Sequence, residues 1–247
     1  MMPFLQTHPF PVKAFFERSL VLTLAYPRQQ VEALLPPYLT ADTWHDAWAF
    51  AAVALVQTRD LRPAALPAVL GQDFFLAGYR LFTRYVTASG KRLRGLYILK
   101  SQTDRRRMTL LGNLFTHYHY ETVPVRLRET GRELAVDFGT GHVTVDLGST
   151  TEPAVPLPPH SPFADWRDAR RFAGPLPFTF AYDEGRKSVV IVEGQRENWT
   201  PTPVTVRQQR LPALDALGLA GGVLAAAFTV EQIPYAWKTG RLDPWPR

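Results

Sequence analysis

The chain has 247 residues, 46% of them hydrophobic and 20% charged, with a formal net charge of +6. This length suits one large β-rich domain, and the composition excludes an extended disordered or low-complexity protein. Cysteine is absent, which excludes disulfides, thiolate nucleophiles and cysteine metal sites.

The 22 prolines favour short strands separated by loops over a helical bundle. "MMPFLQTHPFPVKAFF" has no basic region followed by a long apolar run, so it does not read as a signal peptide. The longest apolar segment, Leu217 to Phe228, is too short to span a bilayer. The expectation is a cytoplasmic protein without membrane association.

In chain order, "SLVLTLAYP" alternates as a strand and stops at Pro27. "PRQQVEALL" then predicts a short helix with Val31, Leu34 and Leu35 on its apolar face. "AWAFAAVALVQ" predicts a second strand, and "RDLRPAALPAVLGQD" a loop, because Pro63 and Pro67 argue against a central strand. "YRLFTRYV" and "LRGLYILK" predict a hairpin turning near Gly90. A helix follows, capped by Thr103 or Asp104, with Met108, Leu110, Leu111, Leu114 and Phe115 on one broad side. "HYHYETVPVRLRE", "ELAVDF" and "HVTVDL" predict successive strands, with turns at Gly131 and at Gly139 to Gly141. The proline-rich "EPAVPLPPHSP" crosses to a short helix, "FADWRDARRF". "FTFAY", "SVVIVE" and "TPVTVRQQR" complete the strands. With no internal repeat and no long linker, residues 1–247 read as a single α+β domain on a large antiparallel or barrel-like sheet.

Much of the positive charge is Arg80, Arg84, Lys91, Arg92, Arg94, Lys100 and Arg105 to Arg107. No helix-turn-helix, RNP or zinc-finger pattern accompanies it, so nucleic-acid binding ranks below a solvated face or an anion site. Arg80 and Arg84 share a strand side with Phe82, which suits them to face a pocket or pair with a buried acid. His117 and His119 share a side with Phe115 and Glu121, a metal-ligand spacing with Glu121 as third ligand. Without a third histidine or a known motif, the preferred reading is two polar groups lining a pocket, with no metal or other cofactor. Tyr118 and Tyr120 then pack on the other side. A turn or cross-strand role suffices for Asp137, His142 and Asp146. Serine-hydrolase, phosphate-loop and dinucleotide fingerprints are absent.

Lys100 is the residue with the sharpest alternatives. On a regular strand it lies on the side of Leu96 and Ile98, at the rim of an apolar surface. Desolvation, neighbouring cations and a helix N-terminus all disfavour an ammonium in such a place, and a neutral amine can attack a carbonyl. The plainer reading is a strand-end cation with its stem packed on apolar surface.

"VEALLPPYLTADTWHDAWAFAAVALVQTRDLRP", followed by "RGLYILKSQTDRR" and "NLFTHYHYETVPVRL", resembles the domain-of-unknown-function 2071 (DUF2071) family of the acetoacetate decarboxylase-like superfamily. The likeness runs from about Ser19 to about Val206, and "AFTVEQIPYAWKTGRL" resembles the family's C-terminal end. The resemblance implies a closed antiparallel β-barrel with a small interior pocket, and no particular reaction. In the decarboxylases a strand-end lysine forms a Schiff base with a ketone, and "GLYILK" puts Lys100 at the corresponding position. Their next lysine is Ser101 here, their pocket glutamate falls at Ala77 or Gly78, and their substrate-binding arginine falls near Ala25. These departures argue against acetoacetate decarboxylation itself.

Two functions follow as expectations. One is a lyase-like enzyme on a small carbonyl or carboxylate compound, with Lys100 as catalytic nucleophile or anchor and Arg80, Arg84, His117 and His119 binding substrate. The other is a non-catalytic barrel for a small organic acid or apolar ligand. Self-association stays open.

Overall fold

The computed structural model describes residues 5–148, 155–174 and 176–245. In chain order its elements are β1 (Val12–Pro27), α1 (Arg28–Glu32), β2 (Thr40–Ala41), β3 (Trp48–Pro63), β4 (Gln72–Val86) and β5 (Arg92–Thr103). Then come α2 (Arg106–Phe115), β6 (Tyr120–Thr122), β7 (Val125–Thr130), β8 (Glu133–Phe138), β9 (Gly141–Asp146) and α3 (Trp166–Ala173). The last are β10 (Phe178–Asp183), β11 (Ser188–Arg196), β12 (Thr202–Pro203), β13 (Thr205–Arg210), α4 (Pro212–Ala216), β14 (Val223–Trp237) and β15 (Arg241–Pro244).

The large sheet runs β12-β14-β1-β3-β4-β5-β10-β11-β15, with β2 on β4 and β6 on β5. Strand β11 also pairs with β14, setting Gly194 opposite Trp237 and Arg196 opposite Tyr235. That pairing closes β14, β1, β3, β4, β5, β10 and β11 into a ring. The ladders are antiparallel except β10 on β5 and β6 on β5, which are parallel. A second, antiparallel sheet, β13-β9-β8-β7, covers the outside of the ring.

Strand β3 explains how the ring comes to be hollow. Its odd-numbered Ala49, Ala51, Val53 and Leu55 face outward, into a core with Leu134, Val136, Phe138, Val143 and Val145 of the second sheet. Its even-numbered Phe50, Ala52, Ala54 and Val56 face inward. Both faces are buried, so the strand reads as one apolar run without polar alternation. Phe50 stacks on Phe163, with ring centroids 5.3 Å apart, and plugs one end. Ala52 and Ala54, with Ser19 of β1, are too small to fill the middle, and a cavity remains there.

Four sequence expectations are corrected. Strand β3 continues through the predicted loop to Pro63, which lies past the last pairing with β4 at Leu61 and breaks no ladder there. Helix α2 starts at Arg106 with no side-chain cap, because Asp104 instead accepts from the Phe75 N–H at 2.8 Å. Leu110 of α2 is 70% exposed and is not on its apolar face. "HYHYETVPVRLRE" is not one strand: His119 takes a φ of 51°, and only β6 and β7 are extended. The α3 helix forms as expected, with the Asp165 carboxylate accepting from the Asp168 N–H at 2.8 Å. Of the proline-rich crossing, residues 152–154 fall outside the described residues.

Candidate functional site

A bulge decides which side chains of β5 enter the ring. Tyr79 of β4 pairs with Lys100, but the next residue, Arg80, pairs with Ile98, so Leu99 is an extra residue. Leu96 and Ile98 face the cavity, and beyond the bulge it is Ser101 that does so. Lys100 is turned to the other face, where its amine lies 2.8 Å from the Glu121 carboxylate. Gln102 donates to the same carboxylate at 2.6 Å and accepts from the buried Tyr79 hydroxyl at 2.9 Å. Burial opposes ionisation of Glu121, but hydrogen bonds from Lys100 and Gln102 outweigh it and hold the carboxyl below its ordinary range. Lys100 therefore lines neither of the large chambers described below; the sequence expectation of an unbroken alternation placed it on the wrong face.

One cation inside the ring is Arg80. Its guanidinium folds back over Gly78: a Cβ at Gly78 would stand 2.9 Å from Nε and 3.0 Å from Nη2. Gly78 thus provides the space in which the side chain lies. Arg196, from the end of β11, lines the same inner chamber, its guanidinium 5.0 Å from the Trp199 ring centroid and 5.9 Å from that of Tyr235. Neither arginine has a carboxylate partner among the described residues. Burial lowers the pKa of both, and for Arg196 the nearby Arg80 charge lowers it further. Two half-buried, mutually repelling cations in one cavity form a site of positive potential.

The inner chamber has a volume of about 130 Å³. Its lining residues with polar groups, besides the arginines, are Ser19, Ser101, Thr179, Tyr118, Tyr120, Tyr235, Trp199 and Trp237. Tyr118 is fixed by a 2.8 Å hydrogen bond to Thr179. Burial pushes its pKa up to about 12 and that of Tyr120 higher still, so both are neutral hydrogen-bonding groups near pH 7. The indole N–H of Trp199 is buried without a partner. Among the described residues no Asp, Glu, His or Lys lines this chamber. Its lining suits binding an anion, and among the described residues it offers no side chain suited to proton abstraction near neutrality.

An outer chamber of about 410 Å³ lies beside it, sharing Phe16, Leu76, Tyr118, Tyr120 and Trp237 as a common wall. Its remaining surface is largely apolar and comes from α2, the N-terminal segment and the loop between β3 and β4. The Tyr120 ring packs on Gly112 of α2 so closely that a Cβ there would stand 2.4 Å from it.

The other residues singled out from sequence have different surroundings. Arg84 shares its strand face with Arg80, but its Nε lies 2.5 Å from the fully buried Asp42. Arg94 holds the second oxygen of that carboxylate at 2.5 Å and covers the Phe172 ring. His117 lies in a narrow crevice with His8, away from the inner chamber, and its Nε2 is buried without a partner. His119 is exposed. Tyr118 and Tyr120, expected to pack on the far side, form the wall between the chambers. Arg196, Trp199 and Tyr235 were not anticipated. A signal existed for Arg196, since Val190, Val192, Gly194 and Arg196 continue one period-2 face. His142 and Asp137 are directly opposite across β8 and β9 and hydrogen-bond at 2.7 Å, a cross-strand role as expected. Among the described residues no group of three or more His, Asp or Glu side chains is placed to hold a metal ion, and no helix is long and apolar enough to cross a membrane.

Solved structures share this fold at low identity. An acetoacetate decarboxylase-like enzyme from Sphingomonas wittichii RW1 aligns over 95% of this chain and 92% of its own, with a TM-score of 0.62 and 12% identity. Acetoacetate decarboxylase from Legionella pneumophila aligns over 95% and 87%, with a TM-score of 0.60 and 13% identity. The enduracididine biosynthesis enzyme MppR, complexed with the condensation product of pyruvate and imidazole 4-carboxaldehyde, aligns over 95% and 89%, with a TM-score of 0.54 and 12% identity. No curated protein matches the chain. The fold is therefore acetoacetate decarboxylase-like. The DUF2071 family model, described as an uncharacterised conserved protein, matches residues 14–237, and the chain belongs to that family.

Proposed function

We propose that this protein binds a small organic carboxylate in the inner chamber, with Arg80 as the principal anchor and Arg196 as the second cation. The observation behind this reading is the pair of half-buried guanidiniums on one cavity without a carboxylate partner among the described residues. Partial desolvation of two like charges is unfavourable, and a ligand carboxylate with bidentate geometry offsets that cost. The tyrosine hydroxyls and the Trp199 N–H complete a set of neutral donors around the anion.

Carbonyl chemistry through Lys100 has weaker support. Its amine is engaged by Glu121, and attack on a ligand in the ring would require breaking that ion pair and reversing the strand face. Lys100 is better read as a cation that ties β6 to β5. Nucleic-acid binding through the basic stretch also has weaker support, because its members are dispersed. Arg80 faces the cavity, Arg84 and Arg94 hold Asp42, and Lys100 holds Glu121.

The test is a thermal-shift screen of small carboxylates and keto acids, with borohydride trapping in parallel. Carboxylates should raise the melting temperature of wild type and of Lys100→Met alike. No reduced adduct should form on Lys100. A Lys100 adduct with turnover that Lys100→Met abolishes would replace this reading with an enzymatic one.

A further inference from the structure

We infer that the two chambers form one site for an amphipathic monocarboxylate, whose charged head lies at Arg80 and whose hydrocarbon tail occupies the outer chamber. The inference rests on the carboxylate reading of the inner chamber and adds the chemical class of the rest of the ligand.

Three observations support it. The chambers are adjacent, separated by a wall of five shared side chains, so a ligand headed at Arg80 reaches the outer chamber by displacing part of that wall at Tyr118 and Tyr120. The outer chamber is the larger, about 410 Å³ against about 130 Å³, and it is lined chiefly by apolar groups. Of its polar members, Arg62 donates to the Asp60 carboxylate and to the Leu66 carbonyl, Gln72 contacts the Met108 sulfur and Thr116 donates to the Gly112 carbonyl, while His8 Nδ1 and Thr58 Oγ1 are buried without partners and Arg107 is an exposed cation on the α2 side. The inner chamber thus sets two arginines close together, whereas the outer one sets scattered polar groups in a larger, mainly apolar surface. At the open side Leu66 and Leu70 line the chamber while 42% and 53% exposed. Apolar side chains left in water at a cavity mouth match a ligand whose tail covers them.

The division also predicts how affinity depends on ligand length. Each methylene moved from water into the outer chamber strengthens binding by up to about fourfold, the equivalent of about 0.8 kcal/mol per buried methylene. Short acids, held only in the inner chamber, bind weakly.

The experiment is calorimetric titration of straight-chain acids from acetate to laurate, below their micellar concentrations, on wild type, Arg80→Met and Leu111→Trp. Leu111 lies on the α2 wall of the outer chamber, so the indole fills tail space without touching the head site. In wild type the affinity should climb with chain length. Leu111→Trp should bind acetate and propionate as wild type does and lose the climb. Arg80→Met should weaken every acid by a similar factor. A flat wild-type series with Arg80-dependent binding of short acids would overturn the two-chamber site while leaving the carboxylate site intact. Equal climbs in wild type and in a folded Leu111→Trp would also overturn it. If no acid binds at any length, both readings fail. Should Leu111→Trp not fold, the wild-type series alone decides the question.

Discussion

Arg80 and Asp42 represent opposite solutions to burying charge, and they respond oppositely to substitution. Asp42 is fully buried and satisfied by Arg84 and Arg94. Asp42→Asn removes the charge that both arginines hold and should lower stability by about 1–3 kcal/mol, measured as a lower urea midpoint at unchanged slope. An unchanged midpoint would mean that the clamp contributes nothing. Arg80 has no such partner, so Arg80→Met should leave the melting temperature the same or higher. It should weaken carboxylate binding roughly 10- to 100-fold, the range for losing hydrogen bonds to a charged group. Gly78→Ala is a finer probe. Its methyl group would occupy the place of the guanidinium end, which is flexible enough to move. The variant should stay folded and bind carboxylates several-fold more weakly; unaltered affinity would show that the position of Arg80 over Gly78 is not needed.

At the scale of elements, the decisive feature is one extra residue in β5. Period-2 reasoning put Lys100 with Leu96 and Ile98, and it holds up to Ile98. The bulge at Leu99 then exchanges the faces, and nothing in "GLYILKSQT" announces it, since a bulge depends on the partner strand. Strand β3 was legible for the opposite reason: a long apolar run has few other outcomes than a strand buried on both faces. The α2 helix was legible as a helix but not in detail. Gly112, unremarkable in sequence, receives the Tyr120 ring, which no local pattern reveals. Gly112→Ala should cost about 1–3 kcal/mol through overpacking and disturb binding at both chambers. A fully stable variant with intact binding would argue that the Tyr120 wall is mobile enough to be unimportant.

Over the whole molecule, the family and the strand-rich architecture were visible because many short signals occur in a fixed order. The site was visible only in part, because ring closure assembles it. Arg80 comes from β4, but Arg196 and Tyr235 join it through the pairing of β11 with β14, a contact between distant segments. Three groups with shifted pKa values contribute to the pH dependence of stability. Burial holds the His8 and His117 pKa values below the ordinary 6.5. Their unfolded forms therefore bind more protons, and stability should fall as pH drops from 6.5 toward the lowered folded values. Glu121, depressed from an ordinary 4.5, stabilises above that value and loses its contribution as pH falls through its folded pKa. The His8→Gln, His117→Gln double variant should lose the upper stage and keep the lower one, as followed by melting temperature against pH. A parent protein whose melting temperature does not change below pH 6.5 would contradict the histidine assignment.

The most direct test of the central claim is calorimetric titration of wild type and Arg80→Met with butyrate and with butyramide, its neutral near-isostere. A desolvated arginine awaiting an anion predicts that wild type binds the acid well above the amide and that Arg80→Met loses this preference. Equal binding of acid and amide by wild type, or an acid preference that survives in Arg80→Met, would contradict it.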